Sequence, residues 1–189
     1  MVMSEQNAKI IAFVGLDGSG KSAATNYVIE RGYPKVHFGS IIKKALDDEG
    51  LEFTLENERA MREKLRQNGQ DLVVNRVVEQ IRNLIDAGQR RIVVDGMGSW
   101  NAYRTLKHEF PGELVTVALT PFRSIRLRRL ENRNERPLSE HDAYERDFDE
   151  IENLGKGGVI AIADYSILNN SSQEQLHMQI DELMRFIDF

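Results

Sequence analysis

The sequence predicts an α/β domain, a central parallel sheet with helices on its faces. Two observations predict it. Short apolar runs alternate with longer stretches of helical periodicity along the 189 residues, the pattern of strand–helix–strand units. A glycine-rich segment, Gly15-Leu16-Asp17-Gly18-Ser19-Gly20-Lys21-Ser22, joins the first apolar run to the first helical stretch. The length suits one domain, and 41% hydrophobic against 29% charged residues is the balance of a chain that folds around a core.

The elements follow in order. Ile10-Ile11-Ala12-Phe13-Val14 is the first strand. A helix runs from Lys21 to about Arg31, with Gly32 as its stop. Val36-His37-Phe38 reads as a short second strand. A polar, helical stretch extends from Ile41 to about Asp86, where Val73, Val74, Val77, Val78, Ile81 and Ile85 form a buried stripe and Gly88 ends the run. Ile92–Asp95 and Leu114–Leu119 are the third and fourth strands. Thr120-Pro121 reads as an N-cap followed by a helix-starting proline. The helix it opens is arginine-rich and sparse in apolar residues, so much of it is expected to be exposed. A polar segment from Glu131 to about Leu138 follows, then a helix capped by Ser139 and reaching about Glu152. Tyr165–Leu168 is the fifth strand. Ser171-Ser172-Gln173-Glu174 resembles a capping box before a last helix with the stripe Leu176, Ile180, Leu183 and Ile187.

Composition excludes several classes. With no cysteine there is no disulfide framework, thiolate metal site or cysteine nucleophile. The first residues lack a charged and then apolar leader, and no apolar run approaches the roughly 18 residues of a membrane helix. A cytoplasmic protein is expected, without membrane contact. A net charge of −5 argues against a general nucleic-acid binder. Yet six arginines, Arg123, Arg126, Arg128, Arg129, Arg133 and Arg136, fall within one short segment. Arginine's planar fork binds phosphate in a bidentate way, so this cluster points to a small phosphorylated ligand.

The glycine-rich segment carries the chemistry. It fits G-x-x-x-x-G-K-[S/T] and stands between a strand and a helix, the context that gives the match meaning. Its glycines let backbone N–H groups turn around a phosphate, and the helix N-terminus adds a favourable dipole. Lys21 can reach β- and γ-phosphates, and the Ser22 hydroxyl can ligate Mg²⁺. Gly15, Asp17, Gly18, Ser19, Gly20 and Ala23 complete the expected cradle. Asp95 ends an apolar strand, where such sheets present residues to a ligand crevice. It can hold Mg²⁺ through water or orient the acceptor; the plainer alternative is a turn aspartate. Among the arginines, Arg133 and Arg136 in the polar loop are better phosphate ligands than Arg128, which can simply face water.

Together these features resemble the nucleoside monophosphate kinase group of P-loop kinases, over nearly the whole chain. His37-Phe38-Gly39-Ser40-Ile41-Ile42-Lys43 resembles that group's acceptor segment, Val94-Asp95-Gly96 its Asp-Gly strand end, and Arg126–Leu130 with Arg133 and Arg136 its lid. Ala163–Asn170 resembles its Ala-Asp-Tyr-x-Ile-x-Asn segment near the adenine. Within the group the chain most resembles a branch related to adenylate kinase and dephospho-CoA kinase and common in archaea, on Glu145-Arg146-Asp147 and Gly155–Asn169.

The resemblance implies a three-layer fold with a five-stranded parallel sheet. It implies a core over 8–38, 90–130 and 153–189, a helical acceptor-binding insertion over about 39–87, and an arginine-rich lid over about 131–150. It implies ATP and Mg²⁺ as cofactors, a small phosphate acceptor as substrate, and a monomer or homodimer. Lys21, Asp95, Arg129, Arg133 and Arg136 would be catalytic, Arg126 and Asn169 would contact the nucleotide, and Gly39, Ser40, Lys43 and Gly96 the acceptor.

Three departures stand out. Ser40 stands where adenylate kinases have Asp, Lys43 where they have Arg, and Gly98 near where relatives place an arginine. Arg66 and Arg76 are candidates to supply the missing clamp, or are ordinary surface arginines. Three further readings stay open: a thymidylate-type kinase, although no Asp-Arg-Tyr segment follows a strand; a dephospho-CoA-type kinase; and an adenylate-kinase-like ATPase acting as a nucleotide-dependent switch. The four histidines are scattered and suggest no metal site, and Trp100 and Tyr103 are read as packing before stacking on a base.

Overall fold

Strands buried on both faces must be apolar throughout, and this fixes which strands lie inside the sheet. The computed structural model describes residues 8–65, 71–134 and 136–189. In it β1 (Lys9–Val14) is buried from Ile10 to Val14 and lies at the centre. It pairs with β3 (Arg91–Asp95) on one side and β4 (Leu114–Leu119) on the other. β2 (Lys35–His37) adds outside β3, and β5 (Tyr165–Ile167) outside β4. The order is β2-β3-β1-β4-β5, and every pair is parallel.

Alternation along β1 divides the core in two. Ile10, Ala12 and Val14 face α2 (Phe38–Asp48), α4 (Leu72–Asp86) and α5 (Trp100–Glu109). Ile11 and Phe13 face α1 (Lys21–Ile29) and α9 (Gln173–Phe186). The chain leaving β1 therefore crosses to one face and the chain leaving β3 to the other. Their diverging loops open a crevice at the carboxyl ends of the strands, which is where such sheets bind ligands.

The helical stretch expected over 41–86 is three helices, α2, α3 (Leu55–Lys64) and α4. Gly50, with a positive φ of 68°, lies just beyond α2. Thr54 and Asp71 cap the next two, accepting from the Asn57 and Val74 backbone N–H groups at 3.2 Å each. Phe38, read as strand, opens α2 and is buried in the core. Arg66 lies outside the described residues.

Thr120 is not the expected N-cap. Its N–H is taken by the Ile167 carbonyl, which extends the β4–β5 pairing by one residue. The helix begins later, as α6 (Arg123–Glu131), and the Phe122 N–H reaches the Asn170 side chain at 2.6 Å. Ser139 caps α7 (Glu140–Glu152) as expected, whereas α9 is capped by Ser172, one residue beyond the Ser171 that a Ser171–Glu174 capping box would use, because its Oγ accepts from the Gln175 N–H. A further short helix, α8 (Lys156–Ala161), forms through Gly157-Gly158. The Trp100 ring explains one of these glycines: a Cβ on Gly158 would lie 3.0 Å from it. Trp100 and Tyr103 pack against each other, with ring centroids 5.6 Å apart.

Asp164, within the segment resembling an adenine contact, staples β4 to β5. It accepts from the Thr116 N–H and hydroxyl at 2.8 Å each and pairs with Lys107. Among the described residues no helix is long and apolar enough to cross a membrane.

The face carrying α9 depends on Ile180, which has no exposed surface and packs in the cluster with Ile11, Phe13 and Val28. Ile180→Ala should cost about 2–5 kcal/mol, read as a lowered urea midpoint at unchanged slope.

Candidate active site

The glycine-rich loop leaves β1 with its backbone in conformations that side chains resist. Gly20 has φ 100°, and a Cβ there would lie 2.3 Å from the Asn169 amide nitrogen. Gly18 has φ 78°, and a Cβ would meet the Arg126 carbonyl at 2.9 Å and Leu130 at 2.8 Å. Gly20 is the N-cap of α1 and supplies no side-chain cap. The first N–H groups of α1 are thus left for a ligand, and with the helix dipole they favour an anion. Ser19 is buried, and its Oγ has no hydrogen-bond partner in the protein. Gly15 is buried behind it, Ala23 is half-buried, and Ser22 is exposed on the first helical turn.

Lys21 folds back over the loop and donates to the Leu16 carbonyl at 3.0 Å. Burial, and after it the nearby Lys156 ammonium, pull its pKa down to about 8. An ammonium packed this way is short of negative charge.

The loop is gripped from four sides. Asn169, buried after β5, donates to the Ser19 carbonyl at 2.9 Å. Arg126 of α6, also buried, donates to the Asp17 carbonyl at 2.9 Å and holds both Asp147 oxygens, one at 2.8 Å. From α7, Arg146 Nε donates to the Asp17 carboxylate at 2.6 Å, and Glu150 accepts from the Asp17 N–H at 3.2 Å. From α8, Lys156 donates to Glu150 at 2.5 Å. Burial pushes the Asp17 carboxyl up, but Arg146, Lys21 and Lys156 pull harder, and it ends below the usual range. Arg126 and Asn169, expected as nucleotide contacts, thus sit at the cradle and hold the loop itself.

The remaining expected residues divide. Asp95 ends β3 opposite His37, with His37 Nε2 at 3.7 Å and Lys35 Nζ at 4.0 Å from its carboxylate. Gly96 turns away with φ 83° and lines a small cavity of about 50 Å³. Phe38, Ile42, Val73 and Val74 form its apolar wall, and Arg62, Asp71 and Ser99 its polar one. Ser40 and Arg76 meet elsewhere, in a separate groove of about 360 Å³ between α2 and α4. Gly39 lies under the His37 ring, and Lys43 is exposed and lines neither space.

The three arginines expected to act on the transferring charge, Arg129, Arg133 and Arg136, have separate partners. Arg129 reaches the Ser171 carbonyl at 3.5 Å and leaves one buried guanidinium nitrogen without a partner. Arg133 donates to the Arg136 carbonyl on the loop beyond α6, and Arg128 faces water as expected.

The site's make-up fits a phosphate chain. An uncapped helix start, a loop with no Cβ at its closest approach and an under-neutralised lysine are what polyphosphate requires. Among the described residues no group of three or more histidines and carboxylates forms a cation cage. Mg²⁺ in phosphate sites needs none, since it takes one or two protein oxygens, waters and the phosphates themselves.

Sequence reasoning used Arg146, Asp147 and Lys156 only as carriers of a resemblance and gave neither them nor Glu150 a role. Their spacing sets Ala143, Arg146, Asp147 and Glu150 on one face of α7, yet a charged helix face ordinarily reads as solvated.

A parallel sheet with its glycine loop at the switch point, followed by an uncapped helix with lysine and serine, defines a P-loop protein with the kinase-type fold. The AAA_18 family model, an AAA domain, matches residues 11–155. A UPF0200 protein of Thermococcus kodakarensis is 35% identical over 93% of this chain and 96% of that protein. Another, from Thermococcus onnurineus, is 36% identical over 94% and 97%. The chain belongs to this UPF0200 family. Among solved structures, TT1252 from Thermus thermophilus superposes with a TM-score of 0.64 at 16% identity, covering 95% of this chain and 97% of that one. Shikimate kinase from Bacteroides thetaiotaomicron gives 0.59 at 11%, covering 96% and 99%. A gluconokinase from Sinorhizobium meliloti gives 0.59 at 15%, covering 97% of each. At these identities the likeness is one of fold.

Two outcomes follow from this geometry. A phosphate seated at Lys21 favours its charged form, so binding takes up a proton wherever free Lys21 is deprotonated. ADP affinity should be level below about pH 8 and fall up to roughly tenfold per unit above it, measured by calorimetry between about pH 7 and about pH 9. Asp147→Ala leaves the buried Arg126 charge uncompensated and should cost about 3–5 kcal/mol in urea unfolding, much of it recovered in Asp147→Ala with Arg126→Met.

Proposed function

We propose that the protein is an ATP- and Mg²⁺-dependent kinase. It transfers the γ-phosphoryl group of ATP to a nucleoside monophosphate or similar small phosphorylated acceptor. The observation that carries this reading is the uncapped start of α1 under Lys21, placed at the crevice where Asp95 and Gly96 lead to a second, partly polar cavity. Phosphoryl transfer needs positioning and charge and no protein nucleophile.

Lys21 and the loop N–H groups hold the β- and γ-phosphates. Ser22, with Asp95 through water, holds Mg²⁺, which neutralises phosphate charge when bound. Residues of about 39–87 form the acceptor side, with Arg62 on its polar wall. The lid, expected over about 131–150, narrows to the part before α7, which carries Arg133 and Arg136 with Arg129 beside it; α7 itself is held on the loop by Arg146, Asp147 and Glu150. Lid closure would bring these arginines onto the transferring charge and exclude water. The protein would work in the cytoplasm, alone or as a homodimer.

A hydroxyl acceptor is the second reading. Two fold neighbours bear the names shikimate kinase and gluconokinase, and the cavity mixes Arg62, Asp71 and Ser99 with its apolar wall. Asp95 would then take the hydroxyl proton, and Asp95→Asn should lower kcat by about 10²–10⁴-fold.

Both readings are tested by ADP release from Mg·ATP with AMP, CMP, UMP, GMP, dTMP, dephospho-CoA, shikimate, gluconate or no acceptor. One acceptor should stimulate release strongly, and Lys21→Ala should lower that rate by about 10²–10³-fold. A flat panel with ATP still bound would overturn the kinase assignment in favour of a nucleotide-dependent switch.

A further inference from the structure

We propose that Lys156 is a catalytic residue of this site, a second ammonium that meets the transferring phosphoryl group from its place between the Glu150 contact to the glycine-rich loop and Gly98 of the small cavity. The inference rests on the kinase reading above and adds a residue that the glycine-rich motif does not contain.

Lysine is almost never fully buried without a reason, yet Lys156 is only 8% exposed. It stands in the first turn of α8, where a cation opposes the helix dipole. Its partner Glu150 is buried too. A buried pair of this kind is a poor source of stability, because apolar residues of the same size commonly do as well. Placement is what distinguishes it.

On the cradle side, Glu150 joins Lys156 to the Asp17 N–H of the glycine-rich loop. The Lys156 ammonium is close enough to Lys21 to help hold down that residue's pKa. On the acceptor side, the lysine stem runs against Gly98. A Cβ on Gly98 would lie 3.4 Å from Lys156 Cε and 4.0 Å from its Nζ. Gly98 and Leu154, two residues before Lys156, both line the small cavity that begins at Gly96. Lys156 therefore packs behind Gly98, in the wall of that cavity, while its Glu150 partner touches the glycine-rich loop. The bare Gly98 leaves the lysine its path.

The charges account for how it is held. Lys21, Arg146 and Lys156 face Asp17 and Glu150, an excess of one positive charge before any phosphate arrives. An ammonium has three donors, and Glu150 engages one. Lys156 can keep that bond and still donate to an equatorial oxygen of the γ-phosphoryl group. In the transfer, an acceptor phosphate oxygen forms a bond to the γ-phosphorus. The bond from that phosphorus to the β–γ bridging oxygen breaks, and its electron pair leaves on ADP. No proton moves. Charge spreads over the equatorial oxygens during this exchange, where a fixed cation stabilises the transition state most.

The test compares wild type, Lys156→Met, Lys156→Arg and the double variant Lys156→Met with Glu150→Gln. The double variant leaves no buried unpaired carboxylate, so it keeps the comparison valid if Lys156→Met unfolds. Each is measured for kcat and KM with the stimulating acceptor, for ADP affinity by calorimetry, and for melting temperature. The double variant should lose about 10²–10³-fold in kcat with ADP affinity within about threefold of wild type, and Lys156→Arg should recover part of the rate. A folded double variant with kcat within about threefold of wild type overturns the role of Lys156 alone. A wild-type protein that no acceptor stimulates overturns the kinase reading and this inference together.

Discussion

A site for a polyphosphate must be positive, and positive charges packed together repel. The rest of this structure depends on how that conflict is settled around the glycine-rich loop. Lys21, Arg146 and Lys156 share one neighbourhood, and Asp17 and Glu150 are set between them. Asp17 is itself part of the loop, so neutralising the cations also fixes the loop's backbone. Its N–H goes to Glu150, its carbonyl receives Arg126 and its carboxylate receives Arg146. Stability and function draw on the same bonds.

This coupling explains why α6, α7 and α8 pack where they do. Little apolar surface directs them: α7 buries only Ala143 and Glu150. Its seat on the loop comes from charge, through Arg146, Asp147 and Glu150. Ion pairs on a solvated surface contribute little, but Arg126 with Asp147 and Lys156 with Glu150 are withdrawn from water. Each partner needs the other to remain buried. A network of this sort selects one arrangement, because any shift strands a charge.

The sheet serves the same end differently. β1 and β3 send their chains to opposite faces, and the crevice between them is a consequence of that topology. The loop after β1 and the Asp95-Gly96 turn after β3 meet there without any dedicated contact. Gly155 and Gly158 let Trp100 pack closely, and the Trp100 N–H takes the Leu154 carbonyl at 2.8 Å. Those contacts set the start of α8, and with it Lys156, against Gly98.

The sequence by itself determined the five strands, the switch-point loop and the cap at Ser139. Each is a local matter: apolar runs long enough to bury, glycines where the backbone must turn, a hydroxyl one step before a helix. The motif also singled out Lys21 and Ser22, since their positions depend only on the loop that carries them. Tertiary structure alone decided the partners. Thr120 lost its cap to the Ile167 carbonyl, α8 formed through Gly157-Gly158 beside Trp100, and Arg146, Glu150 and Lys156 became neighbours of Asp17 from more than 120 positions away. The physical reason is that a charged side chain has no fixed meaning in sequence. On a solvated face it contributes almost nothing, and the same residue withdrawn from water holds a loop in place. Only the packing of distant elements says which of the two it is.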